Sequence, residues 1–262
     1  MIISGKELSD SIRASLREEV AGFPSRYGRA PHLAVVLVGN DPASATYVRS
    51  KEKACLATGI LNTTVRLPES TSEAELIAEI DRLNADSGVD GILVQLPLPA
   101  HISEINILKS IAREKDVDGF HPENVASLWR RRTEPEPNPE YCVPCTPRGI
   151  IRILKAAGIA IDGKRAVVVG RSNIVGLPVA KLLLNENATV TICHSHTQNL
   201  ASVTTDADIL VVAAGSPGII DGSMVKKGAA VVDVGINVDK DGNLKALKWP
   251  ASSLPCPEAW AR

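Results

Sequence analysis

Short continuous apolar runs alternate along this chain with longer segments whose apolar residues recur at helical spacing. The run HLAVVLVG, residues 32–39, is typical of a strand that is buried on both faces. Apolar residues recur every four positions from Leu8 to Val20, which predicts an amphipathic helix over residues 4–22. Strands that alternate with helices are typical of βαβ units and parallel sheets. The hydrophobic pattern therefore predicts an α/β fold.

The same two patterns recur through the rest of the chain. They predict further helices over residues 41–59, 70–86, 103–112, 146–158 and 176–186. They predict further strands over residues 61–67, 89–99, 165–170, 188–193, 208–214 and 229–235. The helix over 70–86 has the clearest start, because Thr71 or Ser72 precedes Glu75 in a capping-box pattern.

Residues 121–147 interrupt this alternation. The stretch RRRTEPEPNPEYCVPCTP carries five prolines in eighteen residues, and proline removes backbone donors and restricts the residue before it. We interpret the region as a linker between two α/β domains, residues 1–137 and residues 138–262. A cleft between two such domains is a favoured place for a ligand.

The overall composition excludes several classes of protein. Lysine and arginine number 29 against 30 acidic residues, so the formal net charge of -1 lacks the basic excess of nucleic-acid-binding proteins. No apolar run approaches the ~20 residues that cross a bilayer. The start, MIISGKELSD, lacks the basic and apolar regions of a signal peptide. We therefore expect a cytoplasmic protein that binds neither nucleic acid nor membranes.

The cysteines give no sign of a metal site. Five cysteines, an odd number, fit reduced thiols better than a disulfide framework. Cys142 and Cys145 form a lone C-x-x-C, whereas a zinc site needs a second pair or histidines at ligand spacing. Cys193, His194 and His196 are far away in sequence. We therefore expect no bound metal.

The strongest local signal is VVVGRSNIVGLPVAKLLL, residues 167–184. A predicted buried strand ends at Gly170, a polar turn follows, and Gly176 opens a helix. Glycines allow a tight turn and a close backbone approach, while the helix N-terminus offers N–H groups to a phosphate. The motif lacks the full G-x-G-x-x-G fingerprint. It predicts a nucleotide site, with an ordinary strand–turn–helix junction as the alternative.

The next strand favours NADP over NAD as the nucleotide. In a Rossmann unit the end of the second strand meets the adenosine ribose, where NAD-binding proteins place an acidic residue. This chain has Ser195 and His196 there, and Arg171 follows the first glycine. A cation and a hydroxyl suit the 2′-phosphate of NADP, which is an anion that needs donors. A solvated histidine without a function is an equally good interpretation of His196.

Tyr47 and Lys51 are a second candidate for chemistry. They are four residues apart in a predicted helix, which places both side chains on one helical face. A phenol beside an ammonium can handle protons. Taken alone, such a pair more often lies on a surface without function.

Eight motifs stand in the order found in one known family. They are YVRSK, GILVQLPLP, KDVDGFHPENV, PCTPRGI, GRSNIVGLPVAKLL, ATVTICHSHT, ADILVVAAGSPG and VVDVGIN. On these motifs, residues 1–243 resemble the bifunctional methylenetetrahydrofolate dehydrogenase/methenyltetrahydrofolate cyclohydrolases. The resemblance implies an N-terminal catalytic domain that binds folate and a C-terminal Rossmann-like domain that binds NADP.

The resemblance implies two reactions of one-carbon metabolism. NADP+ takes a hydride from methylenetetrahydrofolate, and water then opens the methenyl product to formyltetrahydrofolate. By similarity, Lys51 is central to the cyclohydrolase step and Gln95 tunes it, whereas Asp118 anchors the pterin and Tyr47 packs against the folate. A lysine that moves protons near neutral pH must give up its charge, which burial and a cationic substrate favour.

The resemblance also implies the coenzyme contacts and the assembly. Arg171, Ser172 and Ser195 match the family positions for the NADP phosphates, and Ile236 in VVDVGIN matches a cofactor-binding position. Gly170 and Gly176 belong to the same cofactor-binding set on the strength of the turn described above. Family members are usually homodimers, which implies a homodimer here.

Two other dehydrogenase classes fit the chain less well. The Y-x-x-x-K pair of short-chain dehydrogenases follows the nucleotide motif, whereas Tyr47 precedes Gly170. A shikimate-type dehydrogenase has two domains and a lysine in the first, but the segments VQLPLP and DVDGFHP argue against it.

Residues 244–262 depart from the family pattern. Family members continue with a glycine-rich loop and a terminal helix, whereas KWPASSLPCPEAWAR has three prolines and little helical periodicity. Loss of that loop and helix would loosen the closure of the two domains. This leaves the alternative of a protein that binds folate and NADP but has impaired or lost turnover.

Overall fold

The computed structural model divides the chain into two α/β units, which are described separately. It describes residues 5–130, 141–216 and 218–234, and the backbone of short strands at Ile2–Ile3, Asn237–Val238, Leu244–Lys245 and Trp260–Ala261. The amino-terminal unit is Ser9–Val143, and the carboxyl-terminal unit is Pro144–Arg262 with Met1–Leu8. The boundary predicted between residues 137 and 138 lies outside the described residues.

The amino-terminal unit is built on three parallel strands in the order β3-β2-β4. The strands are β2 (His32–Val38), β3 (Leu61–Leu67) and β4 (Gly91–Val94). The central strand is continuously apolar because both of its faces are covered. Val36 packs with Leu76 on one face, and Val35 packs with Val48 on the other.

The helices of this unit are α1 (Gly5–Ala21) from Ser9 onward, α2 (Phe23–Tyr27), α3 (Pro42–Thr58), α4 (Glu73–Ala85), α5 (Glu104–Ser110) and α6 (Pro122–Trp129), with a 3-10 turn at Arg113–Lys115. The start of α3 is fixed by Asp41, whose carboxylate accepts from the Ser44 N–H at 2.7 Å. Its end is fixed by Gly59, whose φ of 82° is a left-handed cap. The capping box predicted for α4 is confirmed, with Ser72 and Glu75 as its members.

The carboxyl-terminal unit carries the second parallel sheet. Its described strands are β1 (Ile2–Ile3), β5 (Arg165–Val169), β6 (Thr189–Cys193), β7 (Ile209–Val212), β8 (Ala230–Asp233) and β11 (Trp260–Ala261), in the order β1-β11-β8-β7-β5-β6. Its helices are α7 (Cys145–Ala156), α8 (Gly176–Asn185) and α9 (Leu200–Thr204), with a 3-10 turn at Gly222–Met224. A separate pair, β9 (Asn237–Val238) and β10 (Leu244–Lys245), is antiparallel.

Strand order reverses at β5, which lies between β6 and β7. The chain leaves β5 for one neighbour and later returns to the other. In open α/β sheets a ligand binds at such a switch point, beyond the carboxyl ends of the strands. In this sheet that point follows Val169 and Val212.

Two predicted boundaries are wrong. The predicted linker begins too early, because Pro122–Trp129 is helix α6 and buries Leu128. Proline suits the first turn of a helix, where its missing N–H has no partner to lose. The strand predicted over 89–99 stops at Val94, since Pro97 and Pro99 cannot donate to a ladder. The prediction for 131–140 and most of 244–262 falls outside the described residues.

Candidate functional site

Lys51 and Gln95 form a defined polar pair in the amino-terminal unit. Lys51 lies on α3, and its Nζ donates to Gln95 Oε1 at 3.0 Å. Gln95 directly follows β4, and its Nε2 donates to the Leu96 carbonyl at 2.7 Å. Because that nitrogen is occupied by the backbone, the amide presents its oxygen to the lysine. Both side chains are half-buried, so the ammonium keeps access to a ligand.

Asp118 lies beside the same end of β4. Its loop begins at Asp116, which forms a parallel bridge with Ile92, so residues that follow both points run to the same edge. The Asp118 carboxylate is half-buried and has no hydrogen-bond donor among the described residues. Burial raises the pKa of Asp118, the Lys51 ammonium offsets part of that effect, and the Asp116 carboxylate adds to it. A half-buried carboxyl without a donor is suited to accept from a ligand.

Tyr47 lies one turn before Lys51 on α3. Its side chain is 45% exposed. Within the described part of the chain its hydroxyl makes no hydrogen bond. An exposed ring on the lysine-bearing helix is a surface on which a flat ligand can stack.

The Asp118→Asn variant is expected to unfold at a higher temperature than the parent chain above neutral pH. A raised pKa in the folded state means that Asp118 supports folding only at acid pH, and that this contribution is lost as pH rises through the folded pKa. Asparagine removes the cost of burying the charge. Thermal unfolding at several pH values measures the difference, which we expect to shrink toward acid pH. Asp81→Asn, at an exposed position on α4, is the control, and a pH-independent difference would contradict the assignment.

Two glycines shape the turn between β5 and α8. A Cβ atom on Gly170 would lie 2.4 Å from the Ala213 carbonyl oxygen, and φ at Gly170 is 128°. A Cβ atom on Gly176 would lie 2.3 Å from the Gly170 carbonyl oxygen. Both contacts are with backbone, so only glycine fits without a shift. The two glycines therefore let the turn pack closely against neighbouring backbone at the switch point.

Ser172 fixes the turn from within. Its Oγ accepts from the N–H groups of Val175 and Gly176 at 3.2 and 3.3 Å, and its carbonyl accepts from Leu177. These contacts set the start of α8, a ten-residue helix whose N-terminus faces the turn. Arg171, next to Ser172, is exposed.

The turn after β6 adjoins this one. Val169 pairs with Cys193, and the Gly170 N–H donates to the Cys193 carbonyl at 2.9 Å. Arg171 and Ser195 each follow this pair by two residues, so both lie beyond the same edge of the sheet and are exposed to a ligand there. His196, also exposed, donates its N–H to His194 Nδ1 at 3.2 Å. Ile236 lies outside the described residues.

The carboxyl-terminal turn fits a dinucleotide phosphate. It offers turn backbone between two glycines that carry no side chain, the positive end of the α8 dipole, a guanidinium and two hydroxyls. Over the described ranges, no cluster of three or more histidine, cysteine or acidic side chains is arranged to hold a metal ion. In that same part of the chain no helix is both long and apolar enough to cross a bilayer.

Asp116 and Ala213 were missed at the sequence level. DVDG contains two acidic residues, and the pattern gives no reason to separate the buried one from the ligand-facing one. Ala213 matters through its backbone carbonyl, which limits the space at Gly170. The position of a backbone carbonyl cannot be predicted from the residue type.

Comparison with known proteins gives matches to both units. The profile of the tetrahydrofolate dehydrogenase/cyclohydrolase catalytic domain matches residues 3–118. The profile of the tetrahydrofolate dehydrogenase/cyclohydrolase NAD(P)-binding domain matches residues 144–246. Together these matches cover most of the chain and separate it at the same region as the two structural units.

Similar proteins match this chain over most of their own length. A bifunctional protein FolD from Wolinella succinogenes is 52% identical over 243 residues, which are 93% of this chain and 82% of that protein. The crystal structure of the bifunctional FolD enzyme from Campylobacter jejuni has a TM-score of 0.90 at 43% identity, over 100% of this chain and 90% of its own. A Trypanosoma brucei FolD complexed with NADP cofactor and inhibitor has a TM-score of 0.89 at 40% identity, over 100% of this chain and 88% of its own.

Proposed function

Because the chain belongs to the tetrahydrofolate dehydrogenase/cyclohydrolase family, we propose that Lys51, Gln95 and Asp118 form its folate site. The protein is a bifunctional enzyme that oxidises methylenetetrahydrofolate to the methenyl form and hydrolyses that product to formyltetrahydrofolate. Its coenzyme is NADP, which supplies the acceptor of the hydride. The observation that carries the site is the Lys51–Gln95 hydrogen bond beside a half-buried carboxylate that has no donor among the described residues.

Hydride transfer and hydration make different demands on the residues of the site. A methylene bridge between two nitrogens loses a hydride readily once it is oriented and kept from water, so that step asks mainly for placement. Hydration of the methenyl cation requires that protons move. Lys51 is the group placed to move them, because its amine is half-buried and held by a neutral acceptor.

Asp118 orients the substrate by binding the pterin ring. The aminopyrimidine part of a pterin presents neighbouring N–H groups, and a carboxylate can accept two of them at once. In the described residues no protein donor competes for the Asp118 oxygens. Tyr47, with its exposed ring on α3, stacks against the flat folate.

Side-chain and backbone groups near the ends of β5 and β6 hold the coenzyme in this proposal. The backbone of the turn from Gly170 to Gly176, beside the positive end of the α8 dipole, takes the diphosphate. Arg171 and Ser195 take the 2′-phosphate, and Ser172 keeps the turn in place. Ile236 is included as a cofactor-binding position on the family resemblance alone.

Replacing Arg171 by alanine is expected to lower the affinity for NADP+ about 10- to 100-fold while leaving the affinity for NAD+ almost unchanged. A hydrogen bond to a charged group contributes about 1.5–3 kcal/mol, and only NADP+ has the 2′-phosphate. Titration of both coenzymes measures the ratio. Arg152→Ala, an exposed arginine on α7, is the matched control. An unchanged preference for NADP+ would remove Arg171 from the site.

The two reactions are tested together on the full chain. NADPH absorbance reports oxidation of methylenetetrahydrofolate, and loss of methenyl absorbance reports hydrolysis. The proposed function predicts both signals, and it predicts that Asp118→Asn raises the KM for folate. Measurable binding of tetrahydrofolate and NADP+ without either signal would instead favour a protein that binds both and does not turn over.

We also propose that the enzyme is a cytoplasmic homodimer. The support for the dimer is the family resemblance, and the support for the compartment is the odd number of cysteines, which fits reduced thiols. Light scattering on the purified chain tests whether it is a dimer. A mass of one chain, 27.8 kDa, at working concentration would overturn it.

A further inference from the structure

The loop that carries Asp118 is closed by a second carboxylate, that of Asp116. Asp116 is 1% exposed, and its Oδ2 accepts from the His121 backbone N–H and from Asn124 Nδ2, both at 2.8 Å. His121 caps the start of α6, and Asn124 lies in the first turns of that helix. The carboxylate therefore joins the beginning of the loop to its end, with Asp118 between them.

Asn124 extends this connection to the residues before the loop. It is also 1% exposed, its Nδ2 donates to the Arg113 carbonyl at 3.0 Å, and its Oδ1 accepts from Arg113 Nε at 3.3 Å. The amide thus uses both its donor and its acceptor side. A buried amide or carboxylate that lost these partners would leave unsatisfied polar atoms, so the arrangement is strongly specified.

The same loop is fixed to β4 on its other side. Asp116 pairs with Ile92, and a Cβ atom on Gly91 would lie 2.4 Å from Val117 Cγ1. The strand that leads to Gln95 and the loop that leads to Asp118 therefore pack without space between them. Their separation is set by this contact.

We propose that Asp116 and Asn124 are positioning residues. They hold the Asp118 carboxylate at the position, relative to Gln95 and Lys51, from which it can bind the substrate ring. The inference rests on the proposed function, since it acts through Asp118. Neither residue contacts the substrate. Their hydrogen bonds decide where the loop places the acceptor.

Asp116 also acts on Asp118 through its charge. Among the described residues, the charged groups that face the Asp118 carboxylate are the Lys51 ammonium from α3 and the Asp116 carboxylate from its own loop. Burial raises the pKa of Asp118, Lys51 lowers it, and Asp116 raises it. The neutral Asp116→Asn variant therefore ionises Asp118 at lower pH. A purely structural role for Asp116 would change affinity without moving that midpoint.

The test is calorimetric titration of the full chain with tetrahydrofolate from acid to neutral pH. Affinity rises as Asp118 ionises, and we expect the midpoint of that rise to move to lower pH in Asp116→Asn. Asn124→Ala is expected to lose about tenfold in affinity, as one buried hydrogen-bond partner is removed. Asn106→Ala removes an exposed asparagine that bonds Glu73, and it is expected to bind as the parent chain does. A cooperative thermal unfolding transition and a far-UV circular dichroism spectrum like that of the parent chain show that each variant is folded, and Asn124→Ser replaces the alanine variant if it is not.

A double-mutant cycle separates this inference from the proposed function. If Asp116 acts through Asp118, adding Asp116→Asn to Asp118→Asn has no further effect on tetrahydrofolate affinity. If Asp118→Asn alone leaves that affinity unchanged, the proposed role of Asp118 fails. If Asp118→Asn weakens binding while Asp116→Asn and Asn124→Ala bind normally with an unmoved midpoint, only the positioning inference fails.

Discussion

Replacing Lys51 by methionine is expected to lower the rate of methenyltetrahydrofolate hydrolysis by about 10²–10⁴-fold, the usual contribution of a general acid or base. Methionine keeps much of the length and apolar volume of the lysine stem and removes the amine that donates to Gln95. Hydride transfer depends mainly on placement, so we expect it to fall far less. The two rates are measured on one preparation, as loss of methenyl absorbance and as formation of NADPH.

Lys53→Met is the matched control for this substitution. Lys53 is two residues further along α3 and is exposed, so it tests for loss of a positive charge from the same helix. We expect both of its rates to equal those of the parent chain. Hydrolysis that persists above the uncatalysed background in folded Lys51→Met would assign the proton transfer to another group.

Replacing Gly176 by alanine is expected to abolish tight NADP+ binding and to destabilise the carboxyl-terminal unit. The added Cβ atom would lie 2.3 Å from Gly170 O, 2.6 Å from Gly170 C and 2.9 Å from Arg171 N, so the backbone itself must move. Overpacking of this kind costs about 1–3 kcal/mol. We expect NADP+ affinity to fall at least about tenfold, because the moved backbone is the part that meets the phosphate. Coenzyme titration and thermal unfolding measure the two effects.

Gly149→Ala provides the opposite expectation in the same unit. Gly149 lies within α7 and has no positive φ, and a Cβ atom added to it would meet nothing within 4 Å beyond its chain neighbours and the nearby backbone of its own helix. Alanine there is expected to stabilise the helix by about 0.5–1 kcal/mol and to leave coenzyme binding unchanged. If Gly176→Ala behaved like Gly149→Ala, the steric account of the turn would be wrong.

The fold was largely predictable where one local signal decided each element. The strand over 61–67 was predicted with the bounds that it has, and β2 differs from its prediction by one residue. The capping box is set by two residues three positions apart, Ser72 and Glu75, so it can be recognised from sequence. The end of β4 depends instead on where its backbone pairing with β2 ends, and these two strands are far apart in sequence. Helix α6 was missed because its residues fell within the predicted linker, although Pro122 suits the first turn of a helix.

The candidate site was predictable mainly through motifs. Tyr47 and Lys51 share a helix, so their spacing was informative, but nothing in the spacing relates Lys51 to Gln95, 44 residues later. That pairing came from the family resemblance, and the structure supplies its hydrogen bond. The different roles of Asp116 and Asp118 could not be predicted, since they depend on which carboxylate accepts hydrogen bonds from His121 and Asn124. Their roles in binding stay proposals until the variants are measured.

The Ser172 hydroxyl has a kinetic consequence. Because it holds the Val175 and Gly176 amides through contacts internal to the chain, the turn has its shape before any coenzyme arrives. The entropy of ordering that segment is then lost during folding rather than at each encounter. Association with the dinucleotide is accordingly governed by diffusion and by the charge of Arg171, and its rate constant falls as ionic strength rises.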